Sequence, residues 1–123
     1  MIVKLNGHPC SVNKAYATLF RTKRRIKTRD YHAFERMVQS AWVDSRFEIK
    51  PEMRLKVQII IDGSWFTKQK KIRKVDLDNF AKVTLDCLSK LLGFEDSQIF
   101  ELQMTKREYQ VDQTLIVIDE ILQ

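Results

Sequence analysis

Four charged side chains crowd the stretch VDLDNFAKVTLDC, residues 75–87: Asp76, Asp78, Lys82 and Asp86, with Asn79 among them. Carboxylate oxygens such as those of Asp76 and Asp78 are the ligands that Mg²⁺ takes. That cation keeps several waters and needs few protein carboxylates when a substrate phosphate completes the shell. A site of this kind hydrolyses phosphodiesters by activating water and neutralising charge on the leaving oxygen. A lysine beside it, here Lys82, suits the charge that builds on the phosphate in the transition state. The same residues also suit a plain helix start. Acids near a helix N-terminus are favoured by the macrodipole by about 0.3–1 kcal/mol each. An Asp78–Lys82 pair at i, i+4 adds about 0.2–0.5 kcal/mol. On residue types alone, both readings stand.

A second acidic pair, Glu95–Asp96, follows the same segment. A helix of about sixteen residues is ~24 Å long. Asp96 therefore reaches Asp78 only if the chain folds back or a second subunit supplies it. No competing catalytic set is present. His8 and His32 stand apart, which argues against a His-metal nuclease motif, and His32 reads as a surface or packing residue. There is no glycine-rich phosphate loop and no G-x-S-x-G.

The elements that must hold these groups follow from periodicity. Residues 1–6 alternate as a short opening strand, ended by Gly7 and Pro9. Residues 11–27 have no period and read as a long loop. Thr28 suits an N-cap for a helix over 29–43, with Tyr31, Phe34, Val38, Ala41 and Trp42 on one face. Residues 53–62, MRLKVQIIID, place Met53, Leu55, Val57, Ile59 and Ile61 on one side of a strand. The connection over 63–75 reads as a hairpin tip or a loop returning to the next helix. That helix spans 77–92, with an apolar stripe of Leu77, Phe80, Ala81, Thr84, Leu85, Leu88, Leu91 and Leu92, and Gly93 as its C-cap. Residues 98–107 and 114–121 read as two strands, paired antiparallel across a turn at 110–113. The order β-α-β-α-β-β predicts an α+β fold, a small mixed sheet with two main helices, as a single domain over 1–123.

The chain has 123 residues and a formal net charge of +6, which suits a polyanionic partner. The positive charge is concentrated in two segments. Arg21, Lys23, Arg24, Arg25, Lys27 and Arg29 form one; Lys68, Lys70, Lys71, Arg73 and Lys74 form the other. Both are suited to DNA phosphates, giving steeply salt-dependent binding without sequence readout. Phe20, Trp65 and Phe66 lie near them and could stack on nucleic-acid bases, although core packing or a subunit interface is the plainer use. Cys10 and Cys87 have no metal-ligand spacing, and Cys87 falls in an apolar helical pattern, where it reads as a core residue. With no signal-peptide pattern and no membrane-length apolar run, a reducing cytoplasm is the expected setting, with no membrane partner.

The stretch DLDNFAKVTLDCLSKLLGFEDSQI, residues 76–99, resembles the signature of the RusA family of Holliday-junction resolvases. That family carries Asp-x-Asp-Asn near a helix start, a Lys four residues after the second Asp, and an Asp four beyond that. A Gly-containing turn and an acidic pair followed by x-Gln-(Val/Ile) complete it. These fall on Asp76, Asp78, Asn79, Lys82, Asp86, Gly93, Glu95, Asp96, Gln98 and Ile99. The acidic pair reads Glu-Asp where the family usually has two Asp, and the turn before it is slightly shorter. PCSVNK and the basic stretch ahead of a Tyr-bearing helix are compatible with the family.

The resemblance implies an intertwined homodimer that nicks four-way branched DNA with Mg²⁺ or Mn²⁺ and needs no small-molecule cofactor. It places metal ligation on Asp76, Asp78 and Asp96 and an essential basic role on Lys82. It also implies sites built across the two subunits, and makes a phage or prophage origin plausible. A four-way junction has approximate two-fold symmetry, which a C2 dimer with two sites matches. Two other readings are a non-catalytic nucleic-acid-binding protein whose acids only cap a helix, and a broader branched-DNA nuclease acting on forks or flaps.

Overall fold

A computed structural model describes residues 1–19, 21–42 and 47–122. Its central element is β4 (Leu55–Gly63), one of the two inner strands of a four-stranded mixed sheet of order β1-β6-β4-β5. Here β1 is Ile2–Leu5, β5 is Ile99–Glu108 and β6 is Gln113–Glu120. The side chains of Leu55, Val57, Ile59 and Ile61 are wholly buried on one face of β4. On the other face Lys56 pairs with Glu101 at 3.7 Å and Gln58 donates to Gln103 at 3.1 Å. A sheet with one apolar and one polar face takes its helices on one side, as α+β folds do.

The helical layer is α2 (Arg29–Ala41) and α3 (Asp78–Leu92). Thr28 caps α2 as its sequence position predicts, its hydroxyl accepting from the Tyr31 amide at 3.4 Å. Tyr31, Phe34, Val38 and Trp42 enter the core, whereas Ala41 is exposed; Val43, the expected last residue, lies outside the described residues. Gly93 ends α3 in the left-handed region at φ 75°, ψ 32°, where a side chain would be strained. The buried stripe of α3 is rotated from the expected one. Phe80, Val83, Thr84, Cys87 and Leu88 are buried, Ala81 and Leu85 only partly, and Leu91 is 36% exposed. Thr84 is tolerated there because its hydroxyl donates to the Phe80 carbonyl at 2.7 Å. Burial pushes the Cys87 thiol up to about 11, the mark of an inert core cysteine.

Two sequence expectations are corrected. Residues 98–107 and 114–121 do not pair with each other. β5 runs parallel to β4 on one edge, and β6 runs antiparallel to β4 on the other. β4 and β5 are joined through α3, a crossover that leaves the two strands parallel. Glu108 then ends level with Gly63, and Gln113 starts level with Asp62. The 109–112 connection has only to cross the end of β4, ~9.6 Å or two strand spacings.

Nor is 11–27 a featureless loop. It holds α1 (Val12–Ala15) and a hairpin of β2 (Tyr16–Thr18) with β3 (Arg25–Lys27), in which Tyr16 faces Lys27. Elements of three or four residues are too short to carry a period, and β3 is exposed throughout, so no alternation marks it. The 63–75 connection adopts the hairpin alternative, with an antiparallel bridge between Phe66 and Ile72. Among the described residues no helix is long and apolar enough to cross a membrane.

The far end of β4 is locked by a buried charge. The Asp62 carboxylate is fully buried and accepts from Arg107 Nε at 2.7 Å, Arg107 Nη2 at 2.6 Å and Gln113 Nε2 at 2.6 Å. Both flanking strands are thus stapled to β4 at one point. The Arg107 hydrogen bonds hold this carboxyl below the usual carboxylate range. A depressed native pKa adds stability above the unfolded value, about pH 3.9, and that stability is lost as pH falls through the native pKa. Urea midpoints measured against pH are therefore expected to drop more steeply below about pH 4 in the native protein than in Asp62→Asn. Parallel curves would contradict the assignment.

Candidate functional site

The site is built where the arm 64–75 runs into α3. Several bonds from β5 hold that arm. The Trp65 amide donates to Glu108 Oε2 at 2.8 Å, and its indole Nε1 donates to the Arg107 carbonyl at 3.0 Å. Arg73 Nη1 returns to the Ser64 carbonyl at 2.8 Å. Lys106 Nζ donates to the Val75 carbonyl at 2.8 Å and lies 5.3 Å from the centre of the Trp65 ring. The residue immediately before Asp76 is therefore clamped by a cation from the neighbouring strand.

Asp76 and Asp78 follow directly. Leu77 occupies the cap position of α3 with helical backbone angles, and no side chain caps the helix. The Asp76 carbonyl, not its carboxylate, accepts the Asn79 amide at 3.2 Å. Among the described residues neither carboxylate makes a hydrogen bond or ion pair, and both are exposed. The macrodipole still favours Asp78, but side-chain capping does not account for the pair. Two adjacent, unengaged hard oxygen donors are the ligand type that Mg²⁺ or Mn²⁺ takes.

One turn further along α3, Lys82 is 59% exposed at its side chain and pairs with Asp86 at 3.7 Å, rather than with Asp78. Asp86 Oδ2 also accepts from the Tyr16 hydroxyl at 3.3 Å, and the Arg25 guanidinium sits 4.4 Å from the centre of the Tyr16 ring. Burial, and then the negative Asp86, raise the Tyr16 hydroxyl pKa, so it stays a proton donor. Asp86 thus joins three things: the lysine, the helix and the base of the basic β2–β3 hairpin.

The second acidic pair divides in two. Glu95 closes a capping box with Gln98 across the 3₁₀ turn Asp96–Gln98: its side chain accepts from the Gln98 amide, and Gln98 Oε1 accepts from the Glu95 amide at 3.0 Å. Gln98 Nε2 further donates to the carbonyls of Lys50 (2.9 Å) and Met53 (3.1 Å), fixing the turn against the start of β4. Asp96 is left exposed and, among the described residues, unengaged. It is nonetheless at the wrong end of α3. The fifteen residues of that helix span ~22 Å. The return along β5 from Ile99 to Lys106 covers ~23 Å. The chain does fold back to the Asp76 end, but it delivers Lys106 there and not Asp96. Among the described residues no group of three or more His, Cys, Asp or Glu is gathered that could hold a metal.

Both basic segments lie on the surface. Arg21, Lys23, Arg24, Arg25 and Lys27 are exposed on the β2–β3 hairpin and Arg29 at the start of α2; Lys68, Lys70, Lys71, Arg73 and Lys74 are exposed on the arm. Trp65 is only 5% exposed and packs in the core with His8 stacked on it at 5.1 Å, whereas Phe66 is exposed. Phe20 lies outside the described residues.

Sequence reasoning passed over Lys106, Tyr16 and the Asp62–Arg107 pair. Lys106 did leave a signal: the alternation of β5 puts it on the apolar face with Leu102 and Met104, in register with Ile61, where a lysine needs a partner. If its bond to Val75 holds the arm, Lys106→Met raises hydrogen exchange at the Thr67 and Arg73 amides about fivefold, equivalent to ~1 kcal/mol. Unchanged exchange would mean that the clamp carries no load.

The family model described as Endodeoxyribonuclease RusA matches residues 6–119. No curated protein matches the chain.

Proposed function

The chain belongs to the endodeoxyribonuclease RusA family, and on that basis we propose that it resolves four-way DNA junctions by paired symmetric nicks that depend on Mg²⁺ or Mn²⁺. The observation that carries this reading is the pair of unengaged carboxylates, Asp76 and Asp78, on a clamped helix start with Lys82 one turn away. A divalent cation held by Asp76 and Asp78, with Asp96 as third ligand, would supply charge neutralisation at the phosphate and a more acidic water. In hydrolysis, water adds to phosphorus, one P–O ester bond breaks, and the leaving oxygen takes a proton. Lys82 faces the charge that accumulates on the non-bridging oxygens during that step. In the structure Lys82 is paired with Asp86, one turn further from Asp78, and it is the turn of Lys82 from that partner to the phosphate that this role requires.

The ~22 Å between Asp78 and the turn bearing Asp96 leads to a shared site in this reading. A C2 dimer in which Asp96 of one subunit approaches Asp76 and Asp78 of the other would complete two equivalent centres, one for each nick. The basic hairpin and arm flank α3 and suit the phosphates on either side of the scissile bond. A nuclease of DNA recombination in the cytoplasm, with no cofactor beyond the metal, is the proposed setting.

With a synthetic four-way junction, Asp78→Asn is expected to bind normally and lose cleavage, as chelation of the native protein does. Cleavage by Asp78→Asn at the native rate would sink the metal assignment. Lys82→Ala should slow cleavage by about 10²–10³-fold with little change in binding. Binding should weaken about 10³-fold between about 50 and about 200 mM salt, the change given by roughly six phosphate contacts. Three-way and flap substrates cut as fast as the junction would favour a broader branched-DNA nuclease.

A further inference from the structure

Beside the acids lies a cleft of ≈ 630 Å³ between α1, α2 and the arm. It is far larger than a packing void and within the range of small-ligand sites, about 300–1,000 Å³. Its floor is apolar, formed by Phe34, Trp65 and Phe80. Three cations, Lys14, Arg73 and Lys74, line it. Asn79, the residue after Asp78, forms part of its wall, so the cleft adjoins the acidic site. The Asp30 and Asp112 carboxylates also line it, and can accept from amino groups of a ligand.

Flat apolar walls, hydrogen-bonding groups and flanking cations match one nucleotide: a base within the cleft and phosphates at its cationic rim. Trp65 already carries His8 stacked on its ring and Lys106 over it, so it serves as a wall rather than a stacking platform. A base inside an intact duplex cannot enter such a cleft. Unpairing costs least where pairing is already disturbed, as at the point of strand exchange. Resting on the junction-nuclease reading above, we propose that this cleft takes one unpaired nucleotide from the exchange point and thereby sets the neighbouring phosphate over Asp76 and Asp78. Preference for branched DNA would then come from the availability of that nucleotide, and not from the metal site.

A fluorescent adenine analogue, walked through the positions flanking the exchange point of a four-way junction, tests this in chelator, where the DNA stays intact. Native protein should brighten one position. Ala33→Trp, which plugs the cleft from α2, should abolish that brightening, retain junction binding by gel shift, and cut Mg²⁺-dependent cleavage about tenfold or more. Asn13→Trp plugs it from α1 and should do the same, which guards against one variant failing to fold. Gln39→Trp, an exposed position of α2 outside the cleft, should keep both signals. The cleft assignment is overturned if no position brightens, or if both plugged variants brighten and cleave as the native protein does. In either case native cleavage of the junction would leave the nuclease reading standing. If native protein cuts no branched DNA with Mg²⁺, that reading falls and the cleft assignment with it.

Discussion

One rigid rod governs this molecule. α3 carries Asp78 at its first residue and delivers the chain to Asp96 just past its last, and a helix of this length cannot bring its ends together. Its apolar face is buried in the core that it shares with α2 and β4. Phe80, Val83, Cys87 and Leu88 belong to the same buried cluster as the inward residues of β4. The parallel strand that follows repeats the separation, because β5 must run the length of β4 before it returns to the arm. Whatever joins Asp96 to Asp76 and Asp78 has to come from outside this run of chain, and on that constraint the shared-site reading rests.

The other devices keep the near end of the rod in place. Asp62 binds Arg107 on one neighbouring strand and Gln113 on the other, so both neighbours are tied to β4 at that end of the sheet. Trp65, Arg73 and Lys106 then attach the arm to that end, and the arm hands the chain to Asp76 at a fixed point. On the flank of the helix, Asp86 ties Tyr16 and Lys82 together, and with Tyr16 the hairpin that carries most of the first basic segment. The carboxylates of Asp76, Asp78 and Asp96 are held by none of these bonds. Exposed, unengaged acids on a braced scaffold suit the proposed cation, whereas Asp62, Asp86 and Glu95 are each engaged in holding the structure.

Much of this was legible in the sequence. The alternation in LKVQIII gives β4, Thr28 and Gly93 give the ends of two helices, and the spacing of Asp76, Asp78, Lys82 and Asp86 gives one polar face. What escaped was decided by tertiary contacts. The strands β5 and β6 lie a short turn apart and look like a hairpin, yet β4, the most apolar strand, takes a place between them. The separation of Glu95 from Asp96 needed the capping box with Gln98, since the two acids are equivalent on paper. Lys106 is thirty residues beyond Asp76 in sequence and beside it only because β5 is parallel to β4. The cleft is formed by side chains from all four quarters of the chain, which no local pattern links.

The origin of the third carboxylate is tested most directly by mixing two inactive variants, Asp78→Asn and Asp96→Asn, allowing subunits to exchange, and assaying a four-way junction with Mg²⁺. A site built from two chains predicts recovered nicking. In the mixed dimer one centre holds both substitutions and the other has an intact Asp78 and an intact Asp96, so single nicks should appear. A site built within one chain leaves every centre damaged, and a mixture as inactive as its components would contradict the two-chain site.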